Sequence, residues 1–122
     1  MSTPGERWVA AITARDPQAL EGLLTDPVDF RGLTPRRAWE GTTPDEVREV
    51  VLGHWFDDGV TIDRLEEVTL DAVGDTQRVG YRFLTTTADG PHLIEQQVYY
   101  RAEDDTIGYL RIVCSGYRPV TT

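Results

Sequence analysis

Residues 92–115, HLIEQQVYYRAEDDTIGYLRIVCS, decide the fold that this sequence predicts. Apolar and polar side chains alternate on both sides of the acidic triplet at 103–105, as they do in half-buried strands. A connection of this length joins antiparallel neighbours. We therefore predict two paired strands, over 92–102 and 106–115. Their buried face carries Ile94, Gln96, Val98, Tyr100, Leu110, Ile112 and Cys114.

Two more strands are predicted just before this pair, over 60–73 and 77–87, with short turns between them. The four strands then form an antiparallel meander. The alternation in the first of them breaks at Leu65, which predicts a bulge near residues 64–66 that bends the sheet. In the second strand the inward set is Val79, Tyr81, Phe83 and Thr85.

The first half of the chain has helical spacing instead. Thr3-Pro4-Gly5-Glu6 is a capping box, and it predicts a helix over about residues 4–14. Asp16-Pro17 starts a second helix that includes Leu23 and Leu24 and ends near residues 25–27. Helices therefore precede the sheet along the chain, which is typical of an α+β domain.

Between the second helix and the meander we predict a short strand over 28–33 and an irregular crossing segment over 34–41. A second capping box at 43–46 begins a third helix, which ends at 57–59. Its apolar face carries Val47, Val50, Val51 and His54. Three helices cannot fill a strongly bent sheet, so we expect a cone with a cavity between helices and sheet.

Composition limits the possible functions. The chain has 122 residues, which is the size of one domain, and we read 1–122 as that domain. Its 12 Lys and Arg against 21 Asp and Glu give a net charge of −9, which disfavours nucleic acid and anionic membrane surfaces. One Cys and two His allow neither an internal disulfide nor a structural zinc site. We expect no metal, no cofactor and, without a signal-peptide pattern or spanning segment, a cytoplasmic protein.

Several short motifs together carry a resemblance. They are Arg7-Trp8 in the first helix, VDFRGLTP at 28–35 before Trp39-Glu40-Gly41, Trp55-Phe56, IEQQ at 94–97 and CSGYRP at 114–119. In this order they resemble the nuclear transport factor 2-like superfamily, and within it the small bacterial SnoaL-like proteins. The resemblance implies a cone-shaped α+β fold, with N-terminal helices on a strongly curved antiparallel sheet around a pocket, and usually a homodimer.

The candidate ligand-binding residues are those that the helical and strand patterns turn toward the cone interior. Tyr81 and Tyr100 offer hydroxyls and Gln96 offers an amide to orient a ligand among apolar groups. The full set is Trp8, Trp39, His54, Trp55, Tyr81, Phe83, Gln96, Tyr100 and Cys114. Catalytic residues stay unassigned, because neither the Asp base of the isomerase branch nor the Asp-Arg-Asp set of the epoxide hydrolase branch has a match here.

Three functions remain open, because the superfamily includes isomerases, polyketide cyclases, hydrolases and non-enzymatic binders. The first is binding of a small hydrophobic ligand in the cone pocket. The second is an isomerase, cyclase or hydrolase acting on a polyketide-, steroid- or epoxide-like substrate. The third is a dimeric interaction module with a filled cavity, which would use the outer sheet face. That face carries Arg78, Arg82, Glu95, Gln97, Tyr99, Arg101, Tyr109 and Arg111.

Overall fold

A single curved, mixed sheet dominates the computed structural model, which describes residues 2–120. Its strands are β1 (Leu24–Thr34), β2 (Arg37–Gly41), β3 (Thr61–Val73), β4 (Thr76–Thr87), β5 (Gly90–Glu103), β6 (Thr106–Cys114) and β7 (Arg118–Pro119). The strand order is β2-β1-β6-β5-β4-β3, and β7 pairs with β5 outside this path. The helices are α1 (Pro4–Ala14), α2 (Pro17–Gly22), α3 (Pro44–Arg48) and a π-helix (Glu49–Trp55).

The predicted meander is confirmed. Strands β3 to β6 pair antiparallel in sequence order, and their bounds lie within two residues of the predicted ones. The β3–β4 register shifts between Ile62 and Arg64 and again between Leu65 and Glu67, which is the bulge that the broken alternation predicts. The inward residues predicted on β4, β5 and β6 are all buried.

Two expectations about the first strands are wrong. The segment at 34–41 is not irregular, because β1 and β2 form a hairpin through a turn in which Arg36 has φ of 70°. The sheet is not wholly antiparallel either, since β1 runs parallel to β6 and places Leu33 opposite Val113. A parallel partner about 80 residues away along the chain leaves no turn signal in the sequence.

Helix α1 has the predicted bounds. Its capping box is present, with the Glu6 N–H donating to Thr3 Oγ1 at 3.1 Å and the Thr3 N–H donating to Glu6 Oε1 at 3.0 Å. Helix α2 is shorter than predicted, because it ends at Gly22 and the next residues join the sheet. The Leu23 carbonyl accepts a hydrogen bond from the Ile107 N–H at 2.7 Å, which draws Leu24 into β1 instead.

The third predicted helix changes its winding partway along. Residues 44–48 are α-helical, but residues 49–55 form a π-helix in which the Phe56 N–H donates to the Val51 carbonyl at 2.9 Å. The wider turn keeps Val50 and Val51 buried and brings Trp55 into the core. His54 is exposed, so its predicted place on the apolar face is wrong.

The helices cover the inner face of the sheet, and the outer face carries no helix within the described residues. Trp8 and Ile12 of α1 pack on the inward residues of β4 to β6, in one core with Phe30 and Phe56. No helix between residues 2 and 120 combines the length and apolar content that a membrane span requires.

Candidate functional site

A chain of buried side-chain hydrogen bonds runs across the cone interior. The indole N–H of Trp8 donates to the Tyr81 hydroxyl at 2.9 Å, and that hydroxyl donates to Gln96 Oε1 at 2.5 Å. Helix α1 supplies Trp8, and the paired positions of β4 and β5 place Tyr81 opposite Gln96. Burial raises the pKa of Tyr81 well above its usual range, so its hydroxyl stays protonated.

The chain of hydrogen bonds ends at Gln96, whose amide lies across from the Cys114 thiol. Gln96 is fully buried, and its Nε2 has no nitrogen or oxygen partner among the described residues. Cys114 lies directly across on β6; burial raises the pKa of its thiol, and the Gln96 amide and the Gly116 N–H partly oppose that effect. Cys114 is therefore a protonated, buried thiol.

The other two inward hydroxyls of the meander are also engaged. Tyr100 accepts a hydrogen bond from the Gly5 N–H at 3.0 Å, and a Cβ on Gly5 would lie only 2.9 Å from that oxygen. Thr85 donates to the His92 carbonyl at 2.8 Å. Phe83 packs edge-on against Phe56 and Tyr81 as part of the core. These groups hold the helices and strands together.

The remaining predicted site residues form a separate aromatic cluster at the hairpin end of the cone. The Trp39 ring lies 5.3 Å from the His54 ring and 6.1 Å, edge-on, from the Trp55 ring. Trp39 is half-buried and its Nε1–H donates to Thr34 Oγ1 at 2.9 Å. Trp55 is buried, and its Nε1 has no partner among the described residues.

Side chains fill the cone interior at the level of Trp8. Trp8, Phe83 and Gln96 are each 0 % exposed, so no water-sized space borders them. The indole of Trp8 lies in this interior, in contact with the Tyr81 hydroxyl. The structure thus brings Trp8, Tyr81, Gln96 and Cys114 together as a packed polar core.

No acid–base couple is buried in the described part of the chain. Within residues 2–120 no Asp, Glu or His is buried, because every one of them is exposed or half-exposed. In the same range, no three His, Cys, Asp or Glu side chains come together as a set of metal ligands. No Asp, Glu or His of residues 2–120 is therefore buried beside Tyr81 and Gln96.

Free volume on the inner face lies beside α1. We call this cavity the helix–sheet groove; it has a volume of about 480 Å³ and lies between α1 and β3. Its lining consists of Glu6, Val9, Ala10, Thr13, Ala14, Leu65 and Val68. Leu65 and Val68 stand opposite Phe83 and Tyr81, so they belong to the inner face. They are 37 % and 39 % exposed because α1 leaves this part of β3 open to the groove.

A second apolar cavity lies on the outer face, where β2, β1 and β6 are neighbours. This outer groove has a volume of about 550 Å³, and its apolar lining consists of Leu33, Ala38, Trp39, Ile112 and Val113. Leu33 is 55 % exposed and Val113 is 50 % exposed. Arg31, Glu40 and Arg111 surround them. Strand alternation predicted that Arg111 faces outward, but the cavity depends on the β1–β2 hairpin and the β1–β6 pairing, which were not predicted.

Solved structures share this architecture. An NTF2-like protein from Burkholderia thailandensis has a TM-score of 0.65 at 20% identity, over 94% of this chain and 92% of that one. A Catenulispora acidiphila protein with a ketosteroid isomerase-like fold, in complex with trimethylamine, has a TM-score of 0.66 at 16% identity, over 93% and 88%. An LEH-like epoxide hydrolase from Mycobacterium tuberculosis has a TM-score of 0.64 at 11% identity, over 92% and 80%.

These likenesses define the class of protein by its fold. The chain has the cone-shaped α+β fold of nuclear transport factor 2-like proteins, as the sequence resemblance implies. No protein-family model and no curated protein matches the sequence. At identities of 11–20%, the structural neighbours support the superfamily fold and no particular activity.

Proposed function

We propose that this protein binds a small, mostly apolar molecule in the helix–sheet groove and does not transform it. The observation that carries the proposal is an open apolar cavity of about 480 Å³ on the inner face of the sheet. Cavities of about 300–1,000 Å³ with apolar linings are the usual size of small-molecule sites. The ligand lies on Leu65 and Val68, beside the packed interior.

The polar groups of the groove favour an apolar ligand. Glu6 Oε1 accepts from the Thr3 N–H, and the Thr13 hydroxyl donates to the Val9 carbonyl at 2.7 Å. Both side chains thus already serve α1. Affinity in this groove comes from buried apolar area and shape. A catalytic role has less support, since it needs a buried carboxylate or imidazole beside the ligand.

The test uses N-phenyl-1-naphthylamine, an uncharged apolar dye whose fluorescence rises on binding. Val68→Glu places a charge in the groove at a partly exposed position and should weaken dye binding at least about tenfold, because the ligand would have to desolvate the carboxylate. Val73→Glu is the matched control, since Val73 is 64 % exposed at the far end of the same strand. Equal dye affinity in the two variants would contradict the groove as the site.

A second candidate function has its own observation. The exposed aliphatic side chains Leu33 and Val113 lie side by side in the outer groove, on a face that no described helix covers. Arginine surrounds them, and interface centres favour apolar groups with arginine nearby. We infer that the outer groove joins two copies of this chain as a homodimer. Sedimentation of the protein as a monomer at all concentrations would refute it.

A further inference from the structure

Strand β3 forms one edge of the sheet. Among the described residues it pairs with β4 on one side, and no strand pairs with it on the other. The backbone N–H and C=O groups that point away from an edge lack partners in the sheet, which makes an edge strand a template for pairing with another chain. The opposite edge strand, β2, has five residues, whereas β3 has 13. Strand β3 therefore offers much the longer free edge.

The second half of β3 lacks the features that usually block such pairing. Proteins protect an edge with bulges, with proline or with charged residues, lysine above all. The register shifts of β3 against β4 all lie before Glu67, whereas the pairing from Glu67 to Val73 is continuous. The sequence of this stretch, EVTLDAV, contains no Pro, Gly, Lys or Arg. We call residues 67–73 the open edge.

The inner side of the open edge is apolar. Val68 and Leu70 stand opposite the buried residues Tyr81 and Val79, yet they are 39 % and 45 % exposed. A further strand beyond β3 would cover both side chains with its own inward residues. Because successive side chains of a strand point to opposite faces, the inner side favours a segment with apolar residues at alternate positions.

The outer side of the open edge is acidic. Glu67 Oε2 lies 2.9 Å from Arg82 Nη2, and Asp71 Oδ2 lies 2.6 Å from Arg78 Nη2, so both carboxylates pair with arginines of β4. Both side chains are still half-exposed, and a carboxylate has lone pairs for more than one donor. A basic side chain on a further strand could therefore pair with each of them. A second copy of the open edge would bring only acidic side chains.

We propose that the open edge binds an extended segment of another protein, in which apolar residues alternate with Lys or Arg, as an additional strand of the sheet. Its apolar residues pack on Val68 and Leu70, its basic residues pair with Glu67 and Asp71, and its backbone hydrogen-bonds to β3. This interaction surface lies at the other end of the sheet from the outer groove. It goes beyond ligand binding in the helix–sheet groove and does not depend on it.

The test uses synthetic peptides with blocked termini and isothermal titration calorimetry. The first peptide is KVKVKVK, the second has Glu in place of every Lys, and the third is the first with methyl groups on its central backbone nitrogens. The lysine peptide should bind at least about tenfold more tightly than the other two, because they lack the opposite charge or the backbone donors. It should also slow hydrogen exchange of amides within residues 67–73. Equal affinity for the methylated peptide, or no binding of the lysine peptide, overturns the proposal.

Two matched variants separate the open edge from general attraction to an acidic protein. Glu67→Gln should weaken binding of the lysine peptide about threefold, as for one exposed ion pair. Glu95→Gln removes the same charge on the other side of Arg82, at a position on β5 away from the edge, and should leave the affinity unchanged. Equal weakening in both variants contradicts the proposal.

Sedimentation of the Leu33→Glu variant, whose outer groove carries a charge, tests a second copy as the occupant of the open edge. This variant should be a monomer with and without the lysine peptide. A dimer that the lysine peptide dissociates would assign the open edge to a second copy and overturn the proposal.

Discussion

The Tyr81 hydroxyl accepts one hydrogen bond from Trp8 and donates one to Gln96, so a group that the sequence offers to a ligand is used inside the protein. Strand alternation predicts that Tyr81 points inward, and it does. Its hydrogen-bond donor is the Trp8 indole, 73 positions earlier in the chain, and strand alternation around Tyr81 cannot predict a partner so far away. A buried tyrosine in a packed core serves stability and the orientation of its neighbours.

This burial predicts a pH dependence of stability. Burial is the main cause that raises the pKa of Tyr81 and of Tyr117, whereas tyrosine in the unfolded chain titrates near pH ~10. Above that pH the folded state retains protons that the unfolded state loses, so the free energy of unfolding should fall as pH rises. Each retained proton contributes a slope of about 1.4 kcal/mol per pH unit.

Urea unfolding at several pH values between about 9 and 11 measures this slope. Tyr81→Phe should make the slope shallower by one proton. Thr85→Val removes a buried hydroxyl that does not titrate, so this variant should lose stability with pH at the same slope as the unchanged protein. The expectation fails if Tyr81→Phe and the unchanged protein lose stability equally with pH.

At the scale of elements, the π-helix determines which aromatic side chain enters the core. An α-helix through residue 55 would keep His54 on the face of Val47 and Val51, because those positions are one and two turns apart. The wider winding turns Trp55 inward and leaves His54 exposed. Gly32 on β1 makes this packing possible, since the Trp55 ring lies where a side chain at position 32 would be.

Gly32→Ala should therefore displace the Trp55 indole. We expect the free energy of unfolding to fall by about 1–3 kcal/mol and the tryptophan emission to shift to longer wavelength as the ring becomes hydrated. Gly22→Ala is the matched control, because no atom lies within 4 Å of an added Cβ at the end of α2. That control should unfold at the same or slightly higher urea concentration. If the two variants are equally stable, β1 accommodates a methyl group at position 32 without displacing the Trp55 indole, and the expectation is wrong.

At the scale of the whole molecule, helices cover one face of the sheet and leave the aliphatic side chains of the outer groove exposed. The net charge of −9 keeps copies of the chain apart in general. In the proposed homodimer, Arg31 beside the outer groove would reduce that repulsion locally, and Glu40 would give each copy a group to pair with it across a twofold axis; Arg111 already pairs with Asp29 at 3.2 Å.

Analytical ultracentrifugation should therefore find a dimer, and Leu33→Glu should convert it to a monomer by placing a charge in the centre of the interface. Val73→Glu adds the same charge at an exposed position on β3 and should leave the dimer intact. If both variants sediment like the unchanged protein, the outer groove is not the interface.

The sequence by itself determined the meander, the inner and outer sides of its strands, the bulge in β3 and both capping boxes. Each of these depends on residues that are close along the chain, through the two-residue period of a strand, the length of a turn or the four-residue reach of a helix cap. The α+β cone follows from their order, and the resemblance implied the same fold.

Only the tertiary structure decided what the inner face holds. The parallel β1–β6 pairing, the π-helical winding that exposes His54, and the Trp8 indole above Tyr81 all depend on contacts between distant parts of the chain. The alternation of apolar and polar residues allows many different contacts between distant side chains. Which of them form depends on how the side-chain volumes pack, and the alternation does not record those volumes. For that reason the sequence indicated the polar groups of the inner face, while the filled interior and the groove beside α1 became evident only in three dimensions.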